Sequence, residues 1–186
     1  MIVVSRYNEN VEWTKQFPNV LIYNKGEPLE SGYNELFLEN VGREGHTYYK
    51  YICDNYENLP KYTVFLQGNP FDHSPNIITN IHKYMNNPDI DFEFLSERIY
   101  PCNLSGCRYD VNLVLTDVYE KVFGIKKTEM PFVFGQGAQF IVSKERILKR
   151  PKEFYANIVE LLGYTNCPLE GFVIERIHCL IFSDSN

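Results

Sequence analysis

The sequence predicts an α/β sandwich built on a mostly parallel sheet. Short apolar runs of strand length alternate with stretches whose apolar residues recur at helical spacing. Several runs, Thr63-Val64-Phe65-Leu66 above all, are apolar without alternation, as in strands buried on both faces. Polar clusters follow these runs, and in open α/β sheets ligands bind beyond the carboxyl ends of the strands.

The chain has 186 residues, which fits one domain. A chain of this length buries about 70% of its unfolded surface and needs no staples. The net charge of −6, with no run of five like charges, argues against a general nucleic-acid binder. No stretch approaches the ~20 apolar residues of a membrane span. Met1 leads directly into Ile2-Val3-Val4 with no basic, then apolar, leader, so the expected location is cytoplasmic. Five scattered cysteines, with Cys102 and Cys107 the only close pair and no zinc pattern, are expected as reduced thiols. The 14 Tyr and 13 Phe against one Trp are read mainly as packing residues.

In order, residues 2–4 are expected as a strand, 11–17 as a helical turn ended by Pro18, and 20–23 as a second strand closed by Asn24-Lys25-Gly26. Residues 27–40 read as an irregular polar loop. Asn40-Val41-Gly42-Arg43-Glu44-Gly45 leads into a helix from His46 to Tyr56, and glycines at a helix start make a natural anion site. The strand at 63–66 stops at Gln67-Gly68-Asn69-Pro70, because Pro lacks a donor and Gly adds backbone freedom. Asp72 and His73 follow, either as site residues or as a polar turn with a capping Asp. A helix from Ser74-Pro75 to Met85 ends at Asn86-Asn87-Pro88, and 92–95 reads as a short strand. Residues 99–110 read as a loop and Val111 to Phe123 as a helix. Phe132-Val133-Phe134 leads through Gly135-Gln136-Gly137 to a strand at 138–142, which ends at Ser143, the cap of a helix from Lys144 to Lys149. Helices at 151–162 and 170–182 and a polar tail complete the chain. His46, His82 and His178 are read as surface or packing residues.

Several motifs together resemble an uncharacterised-protein family related to GT-A glycosyltransferases. They are V-V-S-R-Y-N-E, N-V-G-R-E, Y-T-V-F-L-Q-G-N-P-F-D-H, G-A-Q-F-I-V-S-K-E-R-I and the terminal E-R-I-H-C-L-I-F. The resemblance spans Ile2 to Phe182. It implies a GT-A-like (nucleotide-diphospho-sugar transferase) αβα sandwich in one domain, 1–186, with a nucleotide-binding half at about 1–95 and an acceptor half at about 96–182. The implied activity is transfer from a nucleotide-sugar donor to a hydroxyl acceptor. The donor would lie against Arg6, Tyr7, Asn8, Glu9, Asn24, Lys25, Arg43, Gln67 and Asn69.

Where GT-A enzymes carry Asp-x-Asp, this chain reads Gln67-Gly68-Asn69, so a Mn²⁺ or Mg²⁺ ion would fall to Asp72 and His73. The literal Asp89-Ile90-Asp91 precedes its strand and sits at the wrong end. Charge on the leaving diphosphate needs a metal, Arg, Lys or a helix N-terminus. An inverting enzyme also needs a carboxylate base, for which Glu170 and Glu175 are the choices. Gln136 and Gln139 suit an acceptor, or a tight turn into a strand. The competing readings are a non-catalytic nucleotide- or glycan-binding module and a metal-assisted hydrolase using Asp72 and His73.

Overall fold

The computed structural model describes residues 1–86, 89–109 and 112–183. The elements in chain order are β1 (Ile2–Arg6), a 3-10 helix (Glu12–Gln16), β2 (Val20–Asn24), β3 (Glu35–Phe37) and α1 (Arg43–Asn55). They continue with β4 (Tyr62–Gln67), α2 (Ile77–Met85), β5 (Phe92–Phe94), β6 (Ile99–Asn103) and α3 (Leu115–Phe123). Last come β7 (Pro131–Gly135), β8 (Phe140–Ser143), α4 (Lys144–Ile147), α5 (Lys152–Leu162) and α6 (Leu169–Ile181).

Six strands form one sheet in the order β3-β2-β1-β4-β8-β5. β1 runs parallel to β2 on one side and to β4 on the other, with Ile2 level with Val20 and Val64. β3 extends the parallel part, whereas β8 is antiparallel to both β4 and β5. The sheet is therefore mostly parallel. β6 and β7 pair separately as a two-stranded antiparallel sheet.

The uninterrupted apolar runs have their expected cause. Successive residues on a strand point to opposite faces, and both faces here are covered. Val3, Phe65, Phe140 and Val142 pack with α1, α5 and α6 in one core. Ile2, Val4, Val64, Leu66 and Ile141 pack with Val11, Phe17 and the α2 residues Ile77 and Ile81 in the other. The first core is aromatic: Tyr48, Tyr49, Phe65, Phe140, Tyr155 and Phe182 are all fully buried. Each such ring contributes roughly 1.5–3 kcal/mol by burial. His178 sits among them, its Nδ1 2.7 Å from the Tyr49 hydroxyl, and complete burial depresses its pKa to about 3.

Some expectations need correction. Residues 35–37, expected within a loop, form an edge strand that pairs with Ile22 to Asn24. Residues 99–103, also expected as loop, form β6 despite Pro101, which an edge position tolerates. α3 begins at Leu115. The helix start expected at Val111, the stop at Asn87-Pro88 and the tail 184–186 lie outside the described residues. Cys102 and Cys107, expected as reduced thiols, form a disulfide. The tight turn between them explains the pairing: Asn103 and Gly106 exchange backbone hydrogen bonds at 3.0 Å, which brings the two Cα atoms to 4.7 Å. Cys53, Cys167 and Cys179 are free thiols. No helix among the described residues is long and apolar enough to cross a membrane.

Candidate functional site

β1 leaves its two parallel neighbours on opposite sides, so the chain reverses its direction of winding between β1 and β4. A crevice opens beyond the carboxyl ends of strands at such a switch point. Here it is a cavity of about 540 Å³. Ser5, Arg6, Tyr7 and Glu9 line it from β1, Lys25 from β2, and Gln67, Asn69 and Asp72 from β4. Asn40, Arg43 and Glu44 bring the start of α1, and Asn166 and Cys167 come from the α5–α6 connection.

The first wall is a rigid frame. Arg6 is 7% exposed and is held through two of its guanidinium nitrogens. Its Nε donates to Glu9 O at 2.9 Å, and its Nη1 donates to Asn24 Oδ1 and to Glu27 O, both at 2.7 Å. Asn24, completely buried, passes its own amide hydrogens to Glu27 O and to Glu35 Oε1 at 2.6 Å. Asn8 adopts a left-handed conformation (φ 74°) and accepts the Glu27 N–H at 2.7 Å. Asn8 and Asn24 thus stitch the β1 and β2 ends together, and neither lines the cavity. Lys25 is also buried. Its ammonium donates to Val41 O at 2.6 Å and to Arg43 O, and burial lowers its pKa to about 8.

α1 begins from Gly42, whose φ of 63° suits glycine. A Cβ there would lie 2.5 Å from His46 Cβ and 2.8 Å from Leu162 O. The Gly42 and Arg43 N–H groups donate to Thr165 O at 2.8 Å and Asn166 O at 3.2 Å. That docking carries the 165–167 segment to the cavity from 120 residues downstream of the helix start. The Arg43 side chain lies over the Phe172 ring at 4.3 Å, with Nε 3.6 Å from Glu44. Burial opposes its charge, but Glu44 and then Glu175 more than offset this and raise its pKa. Arg43 differs from Arg6 and Lys25 in that, among the described residues, its side chain makes no hydrogen bond to a backbone oxygen.

The β4 wall is a shaped turn. Trp13 Nε1 donates to Gly68 O at 3.0 Å, and Gln139 Nε2 donates to Pro70 O at 2.9 Å. A Cβ on Gly68 would meet Glu9 Oε2 at 2.6 Å, so the turn and the Glu9 carboxylate pack directly. The Glu9 carboxylate also accepts the Tyr7 N–H at Oε2. Asn69 Nδ2 donates to Asp72 Oδ2 at 3.1 Å, which holds Asp72 at the rim.

Of the residues named from the sequence, the cavity brings together Arg6, Tyr7, Glu9, Lys25, Arg43, Gln67, Asn69 and Asp72. The others lie elsewhere. His73 packs against Gly137, where a Cβ would stand 2.4 Å from its Cδ2, and its Nδ1 is buried without a partner. Gln139 is completely buried as the anchor of the Pro70 turn. Gln136 is partly buried beside it, its Oε1 without a partner. Glu170 ties α3 to α6 through Lys121 at 3.1 Å and accepts the Tyr164 hydroxyl at 2.8 Å. Glu175 accepts the Gly137 N–H at 2.8 Å. Burial, then the charge of Glu44, raises its pKa. Asp91 pairs with Arg146 at 2.6 Å, beside Lys61 and Tyr62 at the amino end of β4 and therefore opposite the cavity.

Among the described residues no three His, Cys, Asp or Glu side chains converge as cation ligands. Asp72 faces the cavity while the His73 ring is spent on Gly137. The lining residues missed in the sequence are Asn40, Glu44, Asn166 and Cys167. The first two lay inside the N-V-G-R-E motif; nothing local marked the other two.

The chain belongs to the family described as protein of unknown function (DUF3431), which matches residues 1–186. No curated protein and no solved structure matches it.

Proposed function

We propose that this chain transfers a sugar from a nucleotide-sugar donor to a hydroxyl acceptor, with the nucleoside diphosphate in the 540 Å³ cavity. The observation that carries the reading is the position of Arg43. It stands at the N-terminus of α1, on the switch-point crevice, with its guanidinium uncommitted to backbone oxygens. A departing diphosphate gathers negative charge. Arg43 and the partial positive charge of the helix end would stabilise that charge together. Arg6 and Lys25, spent on carbonyl oxygens, set the shape and the positive background instead. Tyr7, 53% exposed at the cavity edge, offers a face for a base. The GT-A-like order of motifs supports the same reading. No step is assigned to a metal; Asp72 lines the cavity and His73 does not.

A second reading, a nucleotide- or glycan-binding module without turnover, is favoured by Gln67-Gly68-Asn69 standing where an Asp-x-Asp would be. A stabilisation screen with UDP, GDP, dTDP and CMP and their sugars, with and without Mn²⁺, tests both. One nucleotide series should raise the melting temperature. Released diphosphate with an acceptor present supports transfer, and stabilisation without turnover supports the module. No stabilisation by any of them would refute the donor cavity.

A further inference from the structure

A second depression adjoins the cavity. It has a volume of about 580 Å³, and Glu9 and Asn69 line both, so the two adjoin at these residues. Its floor is aromatic. Trp13 and Phe71 meet edge to face at 6.1 Å, and Phe17 closes on the other side of Trp13 at 6.4 Å. The hydrogen bond from Trp13 Nε1 to Gly68 O fixes the indole in its plane. The ring is half-buried, so it is a stiff platform and not a mobile surface side chain.

The rim is polar, and three of its groups, Glu9, Asn10 and Asn69, are each oriented by one atom while another is left over. Glu9 Oε2 takes the Tyr7 N–H, leaving Oε1. Asn10 Oδ1 takes the Glu12 N–H at 2.8 Å, leaving two amide hydrogens on Nδ2. Asn69 gives Nδ2 to Asp72, leaving Oδ1. Glu12 is held by Lys15 at 2.8 Å and by the Tyr33 hydroxyl at 2.7 Å. No lining residue of this depression is cationic. That disfavours an anion. An apolar floor whose exposed ring is Trp13, with acceptors on Glu9 and Asn69 and amide donors on Asn10 and Asn69, matches a ligand with one apolar face and several peripheral hydroxyls.

We propose that this groove is the acceptor subsite and takes a saccharide, stacked on Trp13, with a hydroxyl hydrogen-bonded to Glu9 where the groove adjoins the cavity. The role as acceptor rests on the sugar-transfer reading; binding of the saccharide does not, and the two fail separately.

The chain has a single tryptophan, so its fluorescence reports this groove. The folded chain is titrated with maltose, cellobiose, lactose, mannobiose and diacetylchitobiose at millimolar concentrations. At least one should give a saturable change in Trp13 emission. Asn10→Asp, which keeps Oδ1 and removes the amide donor, should weaken that binding roughly 5-fold, the loss of one hydrogen bond. Arg43→Ala should leave it unchanged. Absence of a saturable response to all five sugars overturns the proposal, and so does equal affinity in Asn10→Asp. Saccharide binding in a chain that no nucleotide stabilises would keep the groove and remove its role as acceptor. Nucleotide binding without saccharide binding would keep the donor cavity and overturn the groove.

Discussion

Gly42→Ala should destabilise the protein substantially, and two other glycines supply its controls. At Gly42 the backbone has φ 63°, so an alanine must hold a left-handed conformation, at about 1–2 kcal/mol. The new methyl would also stand 2.5 Å from His46 Cβ, 2.8 Å from Leu162 O and 2.9 Å from Leu162 Cβ. None of these three is the end of a flexible chain, and two belong to Leu162 of α5, so α1 and α5 must separate, at a further cost of about 1–3 kcal/mol. The sum, about 2–5 kcal/mol, is a large part of a typical domain's ~5–15 kcal/mol. For a chain of this size it corresponds to a fall in melting temperature of roughly 5–15 °C. Gly32 has φ 106° but open space, so Gly32→Ala should show the backbone cost alone. Gly106 has neither constraint, and Gly106→Ala should be near neutral. Urea denaturation of the three variants measures the series. A loss at Gly42 no larger than at Gly32 would refute the claim that close packing of the α1 start on α5 holds the site's edge in place.

The disulfide and the buried histidines give two further tests. Under denaturing, non-reducing conditions only Cys53, Cys167 and Cys179 should react with a thiol reagent, and peptide mapping should join Cys102 to Cys107; five reactive thiols would contradict the pairing. His46 and His178 are held by burial at pKa values of about 4 and 3, below the ordinary value of 6.5. The unfolded chain then binds more protons than the folded one across that interval, so stability is full above pH ~6.5 and falls as the pH drops towards 4. A urea midpoint that stays level between pH 7 and pH 4 would show that these rings are not held neutral.

Much of the site could be read from the chain because it is assembled at strand ends. Val64, Phe65 and Leu66 mark a buried strand by their lack of alternation, and the polar residues after it fall at its carboxyl end. Arg6, Tyr7, Glu9 and Lys25, at the ends of the first two strands, followed from the family resemblance. The logic could not distinguish a residue that faces the cavity from one that builds its frame. Asn24 and Gln139 are polar, lie beside the site and are completely buried, and only the folded chain reveals which carbonyl oxygens they bind. Strand direction was equally hidden: β8 has the composition of its parallel neighbours but runs antiparallel. Short edge strands such as β3, with Leu36 and Phe37 exposed, carry too few residues for a pattern. Asn166 and Cys167 reach the cavity only because Thr165 O and Asn166 O accept hydrogen bonds from the start of α1, a contact without a local signature. Trp13 stands in a stretch read as a helical turn, and its place under the second groove depends on Gly68 and Phe71.

The most direct measurement of the central claim is calorimetric titration of the nucleoside diphosphates into the native chain and into Arg43→Ala. The side chain is partly exposed over Phe172, so its removal should leave the fold intact. The account predicts binding of one diphosphate, weakened about 10- to 100-fold in the variant, as the loss of charge-assisted hydrogen bonds worth roughly 1.5–3 kcal/mol requires. Equal affinity in the two proteins, or no binding to the native chain, would contradict it.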